Sequence, residues 1–153
     1  MTLEDQMYML VGKTLSTCQA LEGNARTHFA LKQVFKKQAA ETLAAGGVVQ
    51  PYDENLYERI TNGEDRFGNA IDNFRSLHKK KYKGDCKIAL NKVTESRNMF
   101  VHKYLLNQFD VQDDGKVLFK GFETVIAELL EMKNLFNKVN NMIVTEIEAI
   151  QAR

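Results

Sequence analysis

Val125-Ile126-Ala127-Glu128-Leu129-Leu130-Glu131-Met132-Lys133-Asn134-Leu135-Phe136-Asn137-Lys138-Val139 is the stretch that decides the fold class. Val125, Ile126, Leu129, Met132, Leu135, Phe136 and Val139 recur in steps of three and four, the spacing that lines one face of an α-helix. Met142, Ile143 and Ile147 continue the stripe, and neither Gly nor Pro interrupts it. The pattern predicts one helix over Phe122–Ala149.

Upstream, Asp113-Asp114-Gly115 is a turn signal of hairpin type flanked by Phe109, Val111, Val117 and Phe119; it reads as a plain loop in preference to a small hairpin-like excursion. Before it, a helix is expected over Cys86–Asn107, with Asp85 as its N-cap after Lys83-Gly84. A shorter helix over Glu64–Leu77 carries Phe67, Ile71 and Phe74, with Thr61-Asn62-Gly63-Glu64 supplying the turn and cap. Val48–Tyr57 contains the chain's only proline, Pro51, and reads as a connection. The N-terminal pattern runs from Leu3 to Ala45 through Leu10, Val11, Leu15, Cys18, Leu21 and Ala25. It fits one helix or two with a bend near Gly23-Asn24, and Gly46-Gly47 ends it. Together these segments predict an all-α fold: an antiparallel helical bundle of three long helices plus at least one short helix. The length of 153 residues suits one domain over residues 1–153.

Charge and composition exclude several function classes. Twenty-one Lys and Arg face 20 Asp and Glu, so no global field draws the chain to nucleic acid or anionic lipid. Phosphate contact would need a local patch. The one basic run is Lys79, Lys80, Lys81 and Lys83; its plainer reading is a solvated helix end. Cys18 and Cys86 form no paired motif and have no His cluster around them, which argues against a zinc site. No stretch reaches the roughly 20 apolar residues that span a bilayer. The N-terminal Met1-Thr2-Leu3-Glu4-Asp5 is acidic, unlike a signal peptide, so a cytoplasmic location without membrane attachment is expected. Phosphate-loop, zinc-protease and nucleophile-elbow patterns are absent. His28 and His78 are isolated in sequence and read as surface or boundary residues.

One residue breaks the pattern. Advancing about 100° per residue from Leu90, Cys86, Val93, Phe100, Val101, Tyr104 and Leu105 lie within about 80° of it, while Arg97 lies only about 20° from that direction. A guanidinium does not lose its proton, and burying it alone costs several kcal/mol or more. It therefore needs a carboxylate, for which Glu22 is a candidate, or a cleft that admits an anion. Asn98 and His102 stand four residues apart at the edge of that face. His102 is about 140° from Arg97 around the helix, within reach of a long side chain. Histidine, with a reference pKa of about 6.5, suits proton transfer near neutral pH.

Arg97-Asn98-Met99-Phe100-Val101-His102 resembles the R-N-x-x-x-H motif of the HEPN superfamily, followed here by Tyr104-Leu105-Leu106 before the last helix. Gly12-Lys13 and Gln19-Ala20-Leu21-Glu22 on the first helix also resemble one bacterial branch of that superfamily. The Ala44–Tyr57 segment and the near-neutral charge fit it less well. The resemblance implies a helical bundle acting as a homodimer: a metal-independent endoribonuclease of toxin or defence type, with a possible antitoxin protein as partner and no cofactor. On that resemblance His102 works on the ribose 2′-hydroxyl and the leaving 5′-oxygen. Arg97 holds the scissile phosphate, and Asn98 orients His102 or contacts the RNA. Lys79, Lys80, Lys81 and Lys83 add non-specific RNA contacts. Two alternatives stay open: a non-catalytic HEPN-like dimer binding RNA, a nucleotide or a partner protein, and a scaffold in which Arg97 is merely paired internally.

Overall fold

The computed structural model describes residues 1–63, 66–102, 104 and 108–152, and residues 109–111 by their backbone alone. The fold is an all-α helical bundle, as the periodicity predicts. Its long helices are α1 (Leu3–Ala44), α4 (Asp85–His102) and α5 (Phe122–Gln151), and its short ones are α2 (Glu54–Thr61) and α3 (Phe67–His78).

α1 is one continuous helix of 42 residues, with Gly23 inside it. At its start, Asp5 N–H donates to Thr2 Oγ1 (3.1 Å) and Thr2 N–H to Asp5 Oδ2 (3.4 Å), a reciprocal cap of the first turn. At its end, Gly46 and Gly47 take φ of 70° and 91°, which L side chains resist. This lets Gly47 N–H reach the Thr42 carbonyl at 3.0 Å and Gly46 N–H the Leu43 carbonyl at 3.1 Å.

Two expectations are corrected. The segment expected to be connection up to Tyr57 becomes helical at Glu54, because Asp53 Oδ1 accepts from Leu56 N–H at 3.0 Å and caps α2. Around Asp113-Asp114-Gly115 the less favoured hairpin, not the plain loop, is what forms, with β1 (Phe109–Val111) antiparallel to β2 (Val117–Phe119) and Phe109 opposite Phe119. Its turn is closed by Gln112 N–H on the Lys116 carbonyl at 2.7 Å and by Lys116 N–H on Asp114 Oδ1 at 3.0 Å. Gly115 supplies the φ of 86° that the turn requires. α3 begins at Phe67; the expected start at Glu64, and Leu105, Leu106 and Asn107 beyond α4, lie outside the described residues.

The chain divides into two compact units. The first comprises Met1–Leu21 and Gly84–Val139. Within it α4 runs antiparallel to α5. Phe100 packs on Phe136 with ring centroids 6.1 Å apart, and Tyr104 Oη donates to the Val125 carbonyl at 3.4 Å, so positions rise on one helix as they fall on the other. Leu21, Val93, Leu129, Phe136 and Val139 have no exposed surface. The second comprises Glu22–Lys83 and Asn140–Arg153. Asn24 Nδ2 donates to Asn140 Oδ1 at 2.8 Å, and Ile71, Phe74, Val34 and Ile143 form the apolar centre.

Candidate functional site

The residues buried on α4 are Ala89, Leu90, Val93 and Phe100. Their mean direction is about 60° from Leu90, toward Ala89 and Val93. This moves Arg97 off the centre of the apolar face, where the wheel drawn from Leu90 puts it, to a position about 40° around the shoulder. Arg97 is accordingly half-buried, and Val101 beyond it is 44% exposed rather than core. Asn98 and His102 are exposed. Arg97 Nη1 donates to Asn98 Oδ1 at 2.9 Å, which turns the guanidinium away from the core toward the flank that carries His102. Glu22, the carboxylate considered for Arg97, lies 3.9 Å from Arg26, one turn along α1.

Lys79, Lys80, Lys81 and Lys83 follow α3 and are exposed, as a solvated helix end should be. Lys81 is engaged: its Nζ lies 2.5 Å from Glu146 Oε1.

A groove of about 810 Å³ opens between α4 and α5 of the first unit. On α4 it lies on the other shoulder from Arg97, and its described lining includes neither Asn98 nor His102. Ile88, Met99, Met132 and Leu135 supply apolar surface; Tyr104 and Gln108 close one end, and Lys92 and Lys138 stand at the other. Burial, and then the Glu128 charge, push the Tyr104 phenol well above the usual range, so it stays neutral. Lys120 Nζ lies 3.6 Å from Glu128 Oε1.

The second unit holds a polar cluster that sequence reasoning missed. His28 has no exposed surface, which corrects its reading as a surface or boundary residue. Its Nε2 lies 3.1 Å from His78 Nε2. His78 Nδ1 is 3.7 Å from Glu146 Oε2, and Glu146 Oε1 accepts from Tyr82 Oη at 2.7 Å. Phe74 packs edge-on to His28 at 4.9 Å. Burial, helped by His78 and Lys32, lowers the His28 pKa to about 4 against the opposing pull of Glu146. His78 is lowered as well, by burial acting against the Glu146 charge. For Glu146, burial raises the pKa, but the hydrogen bonds from Lys81 and Tyr82 outweigh it and the net shift is downward. The signal was present in the sequence. His28 follows Leu21 and Ala25 in phase, and Glu146 falls between Met142, Ile143 and Ile147.

Among the described residues no group of three or more His, Cys, Asp or Glu side chains is placed to hold a metal ion. Among the same residues no helix is long and apolar enough to cross a membrane. Comparison of the chain with protein-family models, curated proteins and solved structures finds no match.

Proposed function

We propose that this protein is a metal-independent endoribonuclease of toxin or defence type that works as a homodimer, with Arg97, Asn98 and His102 at the scissile phosphate. The observation that carries this reading is the 2.9 Å hydrogen bond from Arg97 Nη1 to Asn98 Oδ1. It draws a permanent cation out of the core shoulder, toward the exposed side of α4 where His102 stands one turn beyond Asn98. A guanidinium, an amide and an imidazole on one solvent-facing helix end are the groups that acid–base cleavage of RNA uses.

In this reading a neutral His102 takes the proton of the ribose 2′-hydroxyl. The 2′-oxygen attacks phosphorus, the bond from phosphorus to the 5′-oxygen breaks, and the leaving oxygen takes a proton from the imidazolium of a second copy. The products are a 2′,3′-cyclic phosphate and a 5′-hydroxyl. Arg97 neutralises the charge that grows on the non-bridging oxygens. The dimer is what supplies one imidazole in each protonation state. Lys79, Lys80 and Lys83 add salt-sensitive phosphate contacts. Lys81, held by Glu146, contributes less.

The test is cleavage of mixed-sequence RNA by purified protein in EDTA, with end-group analysis of the products and sedimentation to define the assembly. The reading expects a dimer that leaves cyclic phosphate ends, and loss of cleavage in His102→Ala and Arg97→Ala with helicity unchanged. RNA bound but left intact supports the non-catalytic binding alternative instead. Cleavage that persists in both variants removes the assignment of these residues.

A further inference from the structure

We infer that this chain associates with a second copy of itself by seating an apolar finger of one copy, residues 43–52, in the groove between α4 and α5 of the other. The finger belongs to the second compact unit and the groove to the first. One is convex and the other concave, and they match in polarity and charge.

No residue from 42 to 52 is charged, in a chain of which 27% is. Leu43, Val48, Val49 and Tyr52 are nonetheless exposed, Leu43 to 81% and Val49 to 78%. A slack loop folds such side chains back onto the protein, but this one is held out by its backbone. Gln50 N–H donates to Thr42 Oγ1 at 3.0 Å, Gln38 Nε2 to the Gln50 carbonyl at 2.6 Å, and Gln50 Nε2 to the Val48 carbonyl at 3.1 Å. Gly46 and Gly47 turn the chain at the root of the finger. Apolar groups already fixed in the presented form lose little freedom on docking, so less of the gain from burial is given up.

The groove suits such an occupant. Ile88, Met99, Met132 and Leu135 give it apolar walls, and methionine adapts its shape to what enters. Its charged lining cancels, with Asp85, Glu128 and Glu131 against Lys92, Lys120 and Lys138. An ion entering would lose water and meet as many like charges as opposite ones, so an uncharged apolar segment is favoured. The exposed apolar groups of the hairpin fit less well, because Val117, Leu118 and Phe119 sit between Lys116 and Lys120. Lipid is a poorer occupant for the finger. Attachment to an anionic bilayer draws on unmatched Lys and Arg beside the apolar group. Here Lys37 is matched, lying 2.5 Å from Asp53 and 3.8 Å from Glu41.

The test is self-association of the full chain, measured by sedimentation. Val49→Asp puts a charge on the finger and Ile88→Glu puts one on the groove wall, at positions 78% and 50% exposed, so both variants should keep their helicity. Each alone should weaken association at least tenfold. An equimolar mixture of the two should restore it, because the intact finger of Ile88→Glu meets the intact groove of Val49→Asp. With only the Val49→Asp protein labelled at its methionine methyls, Met99 and Met132 should shift on mixing. Concentration-dependent shifts of the same methyls in the wild type read the contact without any substitution. A monomeric wild type, association untouched by either variant, or a mixture that stays apart would overturn the proposal. So would a monomer that binds phosphatidylcholine or phosphatidylserine vesicles through Val49. The inference is independent of RNA cleavage: an assembly that passes the mixing test but leaves RNA intact removes the ribonuclease reading alone, and a cleaving dimer indifferent to both variants removes this contact alone.

Discussion

His28 Nε2 and His78 Nε2 face each other at 3.1 Å, and only one proton fits between them. Glu146 beside His78 Nδ1 favours a proton on that nitrogen, which leaves His78 Nε2 as acceptor and His28 Nε2–H as donor. His28 Nδ1 is then a buried lone pair without a partner among the described residues. Protonating His78 at Nε2 forces His28 into its other tautomer, protonating His28 places a buried N–H at Nδ1 with no acceptor among the described residues, and protonating both sets two N–H groups against each other.

Stability should therefore fall in mild acid. The unfolded chain protonates His28 near its reference value of 6.5, whereas the folded chain holds off until about 4. Between those values the unfolded state binds more protons, so stability rises with pH across this window and is fully present above it. The loss on acidification from 6.5 to 4 is on the order of 3 kcal/mol. Urea unfolding at a series of pH values should show this slope, and His28→Gln should flatten it. An unchanged slope in the variant would assign the acid sensitivity elsewhere.

Glu146 is the one influence that raises the His78 pKa, against burial, Lys32 and Lys81. Glu146→Gln should move the His78 titration midpoint further down, followed by NMR of its ring protons. It should also cost about 1–3 kcal/mol, because Glu146 is 7% exposed and its carboxylate accepts from both Tyr82 and Lys81. A rise in the His78 midpoint would show that the carboxylate does not act on that ring.

This cluster marks the boundary of what the sequence made legible. Apolar spacing alone located α1, α4 and α5, since Leu21, Val93, Leu129 and Phe136 occupy the phases a helix buries. It did not reveal polar residues in the same phase, because a hydrophobic stripe is read by skipping them: Thr14, His28 and Glu146 are all buried. α2 was hidden because its nucleating signal is a single Asp53 cap behind a proline. Arg97 was misplaced by some tens of degrees because Leu90 is not the centre of the face that packing selects. The unpaired buried acceptor at Gln108 was not legible either, since its loss of partners is a tertiary fact.

Gly47 should resist substitution. Its φ of 91° lies where a Cβ is strained, although the space around it is open. Gly47→Ala should cost about 1 kcal/mol through backbone conformation alone, measured as a lower urea midpoint with unchanged slope. Ala45→Ser, in the same turn but outside the positive-φ pair, should cost less. Equal effects would mean that the end of α1 does not need the left-handed cap.

Asn98 separates the proposed roles at the end of α4. Its Oδ1 holds Arg97 Nη1, and its side chain is exposed, so replacing it should leave folding nearly intact. If the guanidinium must be held toward His102 to meet a phosphate, Asn98→Ala should lower kcat of RNA cleavage about ten- to a hundredfold, on the scale of a lost charge-stabilising contact. Asn98→Asp keeps an acceptor for Arg97 but sets a negative charge beside the incoming phosphate. It should therefore retain more of kcat than the alanine variant while raising KM, most strongly at low salt where repulsion is least screened. A residue that merely capped the helix surface would move neither constant, and one that touched only the RNA would lose affinity equally in both variants. The split between kcat and KM is what identifies Asn98 as the group that positions Arg97.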